Sequence, residues 1–278
     1  MFKKVIVRSI CEDINGNLLI GTNDHGLFIE KNEQLIPLLL DNREKLERVY
    51  GMVFVPGKGT YISTKKGFYL WDGNKFKTFE KKEGLDVEVI YSAITDEEGN
   101  IYLGTQKGVY YYDGKKFYIP EKFKDIKCEV NEIFIAKDNS LWVGTHGMGL
   151  YHYAEDKVEI FNEENGFPND FIWGINEDDD GFIWTATNKG IHKLQNGSWI
   201  TLNSKIGLPG DEIFIHTLFK DSKGNLWFAL SKGLVFLKSG KTYRNDVEPI
   251  LKMRKILTPK RIITKIDEKV VFHPKERR

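Results

Sequence analysis

Six histidines (25, 146, 152, 192, 216 and 273) and two cysteines, Cys11 and Cys128, are the side chains of this 278-residue chain most suited to ligating metals or attacking electrophiles. The histidines show no close metal-ligand spacing, and two cysteines are too few for a disulfide framework. Asn176-Glu177-Asp178-Asp179-Asp180-Gly181 opens like a calcium loop, but the twelfth position is Thr187 instead of glutamate. Gly57-Lys58-Gly59-Thr60 lacks the strand and glycine context of a phosphate loop. No Ser-His-Asp order stands out from chance. The sequence thus predicts no metal, no cofactor and no catalytic centre, and leaves binding chemistry. A lysine precedes a turn glycine at Lys66, Lys107, Lys189 and Lys232, and His25 and His146 lie in the corresponding turns of two other segments. Gathered on one rim, these groups would attract a carboxylate or sulfate. A second set, Arg8, Tyr50, Tyr91, Asn131, Trp173 and His216, follows a β-branched residue each time. Tyrosine and tryptophan offer an apolar face with a hydrogen-bonding tip, which suits a sugar ring. Solvated turn lysines and ordinary packing between sheets are the plainer readings of the two sets. Asp86, Glu88, Asp170, Asp211 and Glu212 in nearby loops would offset the lysine charge.

Residues so far apart meet only if a repeat brings them together, and a repeat is present. Short β-rich segments end in a small residue at 21, 63, 104, 144, 186 and 229, at spacings of 42, 41, 40, 42 and 43. A glycine follows each, at 26, 67, 108, 149, 190 and 233. Asp13, Asp96, Asp178 and Asp221 precede the small position by eight residues; Val55 and Ala136 replace the aspartate in the other copies. Each unit reads as four strands: in the third copy Ile90 to Ile94, Ile101 to Thr105, Val109 to Tyr112 and Lys116 to Ile119. Asp-Gly and Gly-Asn pairs between such runs are hairpin signals, because glycine accepts positive φ. Asn42 to Arg48 could add one or two helical turns. A four-stranded unit of this length is a propeller blade, and a ring covers both faces of every blade. The predicted fold is therefore all-β: a β-propeller of about six four-stranded blades over residues 1–240, seven if the tail completes one. Leu19, Tyr61, Tyr102, Trp142, Trp184 and Trp227 are the expected filling between blades.

The chain carries 41 Lys+Arg against 40 Asp+Glu, 18 Phe, 12 Tyr, 6 Trp and 26 Gly. That balance fits a globular protein and argues against disorder. No apolar run approaches the ~20 residues of a membrane helix. Met1-Phe2-Lys3-Lys4 has no apolar stretch behind it, so the expectation is a cytoplasmic protein or part of a longer chain. Residues 241–278 carry a net charge of +7 and residues 1–240 a net −6. Arg261 to Ile266 and Lys269 to Phe272 flank Asp267-Glu268 and read as a hairpin. This basic tail could pack on the acidic propeller or open a further domain. It lacks the stacking platform or motif that nucleic-acid binding requires.

Ile172-Trp173-Gly174-Ile175-Asn176-Glu177-Asp178 with Gly181-Phe182-Ile183-Trp184, and Leu141-Trp142-Val143-Gly144-Thr145 with Gly149-Leu150-Tyr151, resemble the two-component regulator propeller repeat. So do the connectors Gly84-Leu85-Asp86, Gly166-Phe167-Pro168-Asn169-Asp170 and Gly207-Leu208-Pro209. The resemblance covers roughly residues 5–240. It implies a non-catalytic, extracytoplasmic sensing domain of a hybrid two-component receptor, with a small-molecule or oligosaccharide ligand. A second copy or a downstream signalling domain would be its partner. It also implies that Pro259 to Phe272 opens a β-sandwich. Members of that family usually have seven-bladed rings, a membrane segment and a kinase core. Gly224-Asn225-Leu226-Trp227-Phe228 also resembles the streptogramin lyases, which implies an enzyme as the alternative, with His146 and Glu212 as candidate acid and base. A plain protein-interaction scaffold is the third reading.

Overall fold

The structure, a computed structural model, describes residues 5–155, 157–239, 256–258 and 261–263. The chain divides into two compact units, residues 1–240 and 241–278. The first is a six-bladed β-propeller of consecutive antiparallel sheets. Blades 1 to 5 have four strands each, in simple meander order. Blade 6 has three strands among the described residues, which in this unit end at Ser239. The first strands are Val7–Glu12, Val49–Val55, Ile90–Thr95, Val130–Ile135, Ile172–Glu177 and Ile213–Lys220. They pack on one another in succession from blade 1 to blade 6. The second strands are Leu18–Thr22, Gly59–Thr64, Ile101–Thr105, Leu141–Thr145, Ile183–Thr187 and Leu226–Leu230.

The repeated aspartate builds the turn between these two strands. One oxygen of Asp178 accepts from the backbone N–H groups of Asp180 (3.1 Å) and Phe182 (2.9 Å), and the other accepts from the Trp184 indole at 2.8 Å. Asp221 repeats the arrangement with Lys223, Asn225 and Trp227. An aspartate that satisfies its own loop in this way is a turn residue, which accounts for the calcium-like run at 176–181. Among the described residues no group of three or more His, Cys, Asp or Glu could hold a metal.

Each interface between blades is an apolar layer. Leu19, Leu27 and Ile29 of blade 1 meet Val49, Ile62 and Tyr69 of blade 2, and Trp142 and Leu150 of blade 4 meet Ile172 and Ile175 of blade 5. The small repeat residue sets the spacing. A Cβ on Gly144 would stand 2.7 Å from Ile172 Cγ2, and one on Gly21 2.5 Å from Val49 Cγ1. Single-turn 3-10 helices at Lys81–Glu83, Glu121–Phe123, Glu163–Asn165 and Ser204–Ile206 lie in the connectors to the following blade.

One expectation needs correction. Asn42 to Arg48 forms no helix; it is a turn whose Lys45 bridges back to Leu39. In the second unit Arg261–Ile263 pairs with Ile256–Thr258, placing Leu257 opposite Ile262. The partner that the sequence assigned to it, Lys269 to Phe272, lies outside the described residues. No helix among the described residues is long and apolar enough to cross a membrane.

Candidate functional site

The first and second strands of each blade do not pair evenly. Val7 faces Thr22 and Ser9 faces Gly21, so Arg8 is an extra residue in the ladder. The same slip leaves out Tyr50, Tyr91, Asn131 and Trp173. Five of the six residues expected around the channel mouth are thus bulged residues. A β-bulge re-aims the side chain it leaves unpaired. In blade 6 the register shifts between Ile213 and Leu218, a stretch that contains His216, whose side chain lies outside the described residues.

The turn between the second and third strands is tied to the same rim. The N–H groups of Asn23, Gln106 and His146 donate to the carbonyls of Ile6, Val89 and Glu129, just before the first strands. The residue after each repeat threonine therefore stands beside a bulged residue. Arg8 Nε donates to Asn23 Oδ1 at 2.7 Å, and Trp173 Nε1 donates to Asn188 Oδ1 at 2.7 Å. The guanidinium of Arg8 lies over the Tyr50 ring at 5.4 Å, and Tyr50 meets Tyr91 edge to face at 5.2 Å. Further round, His146 stands edge-on to Trp173 at 5.3 Å and to Phe171 at 4.9 Å. Burial, with the Glu129 carboxylate beside it, raises the Tyr91 phenol well above the ordinary tyrosine range. Burial and the nearby Arg48 lower the Arg8 guanidinium from its usual value.

The other expected residues are placed differently. Asn131 is buried, and its amide donates to the Ile172 carbonyl at 2.9 Å, so it ties blade 4 to blade 5. Lys66 and Lys189 are held by Glu47 and Glu163, and Lys107 by the Asp86 carbonyl and carboxylate. Three of the four turn lysines are thus in surface ion pairs, which weakens the field expected of them. Lys232 is exposed in its turn, near enough to Asp211 to help lower that carboxyl, after the larger effect of the bonds from Ser204. His25 is half-buried in the first of these turns, its Nδ1 buried without a hydrogen-bond partner. Sequence reasoning missed Asn23 and Glu129. Their position after the repeat threonine, or just before the first strand, was the available signal.

A cleft of 780 Å³ opens beside this rim, lined by Asn23, Asp24, Lys45, Arg48, Lys65 and Lys66 among others. A larger one, 880 Å³, lies at the opposite rim around Asp96, Tyr102, Tyr111, Lys137, Glu177 and Lys220. Its polar groups already serve the fold. Asp96 accepts from Asn100 and Tyr111, Glu177 from the Lys137 N–H, and Lys220 pairs with Asp179. The bulge rim is the better candidate site. His146 and Glu212, the acid–base pair of the enzyme alternative, belong to blade 4 and to the entry of blade 6, two blades apart.

The family model of the two component regulator propeller matches residues 2–24, 166–189 and 207–232, so the resemblance read from the repeats holds. Among solved structures the chain is similar to an extracellular domain assigned to a hybrid two component system of B. thetaiotaomicron. The identity is 22% and the TM-score 0.75, over 98% of this chain and 39% of that one. A second such domain from the same organism gives 19% and 0.59, over 86% and 39%. Virginiamycin B lyase from Staphylococcus aureus gives 12% and 0.61, over 84% of each chain. At these identities the likeness is one of fold. The chain spans about two-fifths of the length of the two extracellular domains. No curated protein matches it.

Proposed function

We propose that this chain, built from repeats of the two component regulator propeller kind, is the ligand-sensing propeller of an extracytoplasmic receptor. Its ligand is an oligosaccharide or another polar, anionic molecule held at the bulge rim. The observation that carries this reading is the bulge itself. It recurs in blades 1 to 5 and presents Arg8, Tyr50, Tyr91 and Trp173 at one end of the first strands. Tyr91 and Trp173 supply faces for a sugar ring, and Arg8 supplies charge and donors for a carboxylate or sulfate. His25, His146, Lys66, Lys107, Lys189 and Lys232 form an outer circle that adjusts the approach of the ligand. The likeness to extracellular domains of two component systems supports the sensing role, and a rigid ring suits it, since occupancy can bias the ring against its neighbour. In this reading residues 241–278 open the following β-sandwich and carry the signal to it or to a second copy.

The test is a panel of immobilised neutral, uronate-bearing and sulfated oligosaccharides. The wild-type chain should retain at least one class. The double variant Tyr91→Ala/Trp173→Ala should bind it about tenfold more weakly, the loss expected for ring contacts worth about 1–1.5 kcal/mol. Its melting temperature should stay close to that of the wild type. Undiminished binding by the double variant, or no retention of any class, would remove the proposal.

A further inference from the structure

Two arginines stand where blade 1 borders blade 2. Arg8 leaves the bulge of the first strand, and Arg48 lines the 780 Å³ cleft on the same rim. Asn23, which accepts from Arg8 Nε at 2.7 Å, belongs to the cleft wall, so Arg8 stands at its edge. Both arginines are half-buried. Among the described residues neither forms a salt bridge, and Lys45 and Lys65 in the same wall form none. The cationic side chains there are Arg8, Lys45, Arg48, Lys65 and Lys66, against the carboxylates of Asp24, Glu44 and Glu47. Glu47 is engaged by Lys66, and Asp24 accepts from the Asn23 amide. Burial and Arg48 press against the Arg8 charge, while Tyr50 and Asp24 support it. Like charges held together away from bulk water are costly until an anion joins them. The backbone is also bent to place Arg48. Ile6, Arg48, Val89, Glu129 and Phe171 stand just ahead of the first strands of blades 1 to 5, and of these Arg48 alone has a positive φ, 43°. Its carbonyl accepts the Lys65 N–H at 3.1 Å, which ties it to the turn that carries Lys65. Asparagine or glycine would adopt that conformation with less strain, and residues strained in this way cluster where ligands are held.

We infer that the cleft between blades 1 and 2 is the subsite for a tetrahedral oxyanion, a sulfate ester or phosphate monoester carried by the rim ligand, and that Arg8 and Arg48 select it over a carboxylate. This rests on the reading of the rim given above, in which the same ligand lays its rings against Tyr91 and Trp173. The origin of the donors decides the class of anion. Arg8 comes from the first strand of blade 1, Lys45 and Arg48 from the connector, and Lys65 from the turn of blade 2. A carboxylate has two oxygens in one plane, and a single bidentate arginine satisfies both. A sulfate or phosphate ester presents three oxygens that point apart, so it binds two guanidiniums and an ammonium together. The cleft is far larger than one oxyanion, and Leu40 and Tyr69 in its wall offer apolar surface to the body of the ligand.

The first test needs no oligosaccharide. Inorganic sulfate, inorganic phosphate and acetate are titrated separately into the isotope-labelled full chain at constant ionic strength, and the arginine Nε–H signals are followed by NMR. Sulfate or phosphate should move Arg8 and Arg48 saturably, and acetate should not. A response to one of the two ions identifies the ester, and a response to both supports the oxyanion class as a whole. Arg48→Asn removes the guanidinium and relaxes the backbone. It should weaken the Arg8 response about tenfold, the loss of a charge-assisted contact, while the chain melts no lower than the wild type. Lys65→Gln, at an exposed position, should weaken it about threefold. In the oligosaccharide panel the wild type should prefer the oxyanion-bearing member over its uronate counterpart about tenfold, and Arg48→Asn should erase that preference. An equal response to acetate, no saturable response to any ion, or an Arg48→Asn chain that melts lower and still responds would overturn the inference. A panel that retains nothing removes the rim reading instead, and the ion titration then decides the cleft by itself.

Discussion

His192 is fully buried between two threonines, with Nε2 2.8 Å from Thr187 Oγ1 and Nδ1 3.0 Å from Thr201 Oγ1. Burial, helped by Lys189, pushes its pKa down from 6.5 to about 4. Between those two values the unfolded chain binds the proton that the folded one refuses. The stability tied to neutral His192 is therefore complete above about pH 6.5 and is lost as the pH falls toward 4. A gap of that size is worth about 3 kcal/mol. Denaturant midpoints at pH 7.5 and 4.5 check this. The wild type should lose about that much more between them than His192→Gln, which keeps hydrogen-bonding capacity without the charge; equal losses would refute it. The mouth residues were legible because arginine, tyrosine and tryptophan recur after β-branched positions. Asn131 shares the position but not the behaviour: its short amide reaches the Ile172 carbonyl of the next blade. Which acceptor a side chain finds across an interface is set by the neighbouring blade, and the local pattern does not contain it.

At the scale of the element, the strand count and turns were legible because the small residue, the turn glycine and the aspartate each have a steric or hydrogen-bonding reason to recur. The bulge was not. It changes the pairing of two strands without changing the length of the repeat, and it demands no special residue type. The short pairing of Ile256–Thr258 with Arg261–Ile263 was missed for a related reason, since apolar runs lie on both sides of Arg261. The small position yields a sharper prediction. A Cβ on Gly144 would stand 2.7 Å from one Ile172 carbon and 2.9 Å from another, in a strand where no residue is exposed. Gly144→Val should cost at least the ~1–3 kcal/mol of an overpacked core, seen as a lower denaturant midpoint. Gly114→Val makes the comparison, because nothing lies within 4 Å of a Cβ there, although its φ of 86° adds backbone strain at that site. A Gly144 variant no less stable than the Gly114 variant would mean that the spacing between blades 4 and 5 is not set by this residue.

Across the whole propeller, stability should follow the order of the blades. Each sheet gains its cover from its neighbours, so the array behaves approximately as a sum of blade terms and nearest-neighbour interfaces. Among the described residues, blades 2 to 5 are covered on both faces by apolar layers, whereas blades 1 and 6 border one such layer each. Local opening draws on regions with the fewest buried apolar contacts. Amide hydrogen exchange should therefore be slowest in the second strands of blades 2 to 5, around Ile62, Leu103, Val143 and Thr185, all fully buried. Leu226–Leu230 should exchange sooner, although its ladder to Gly233–Leu237 pairs residue for residue as theirs do to their third strands. The comparison separates two causes of protection. If ladder hydrogen bonds alone governed opening, the amides of the second strands of blades 5 and 6 that bond to their third strands would exchange together. If facial cover governs it, blade 6 leads by at least an order of magnitude, since every ~1.4 kcal/mol of lost cover is tenfold in the opening equilibrium. Mass spectrometry of peptic fragments spanning residues 183–187 and 226–230 reads the difference directly, and equal protection there would mean that the exposed face of Leu234 and Phe236 costs the blade nothing.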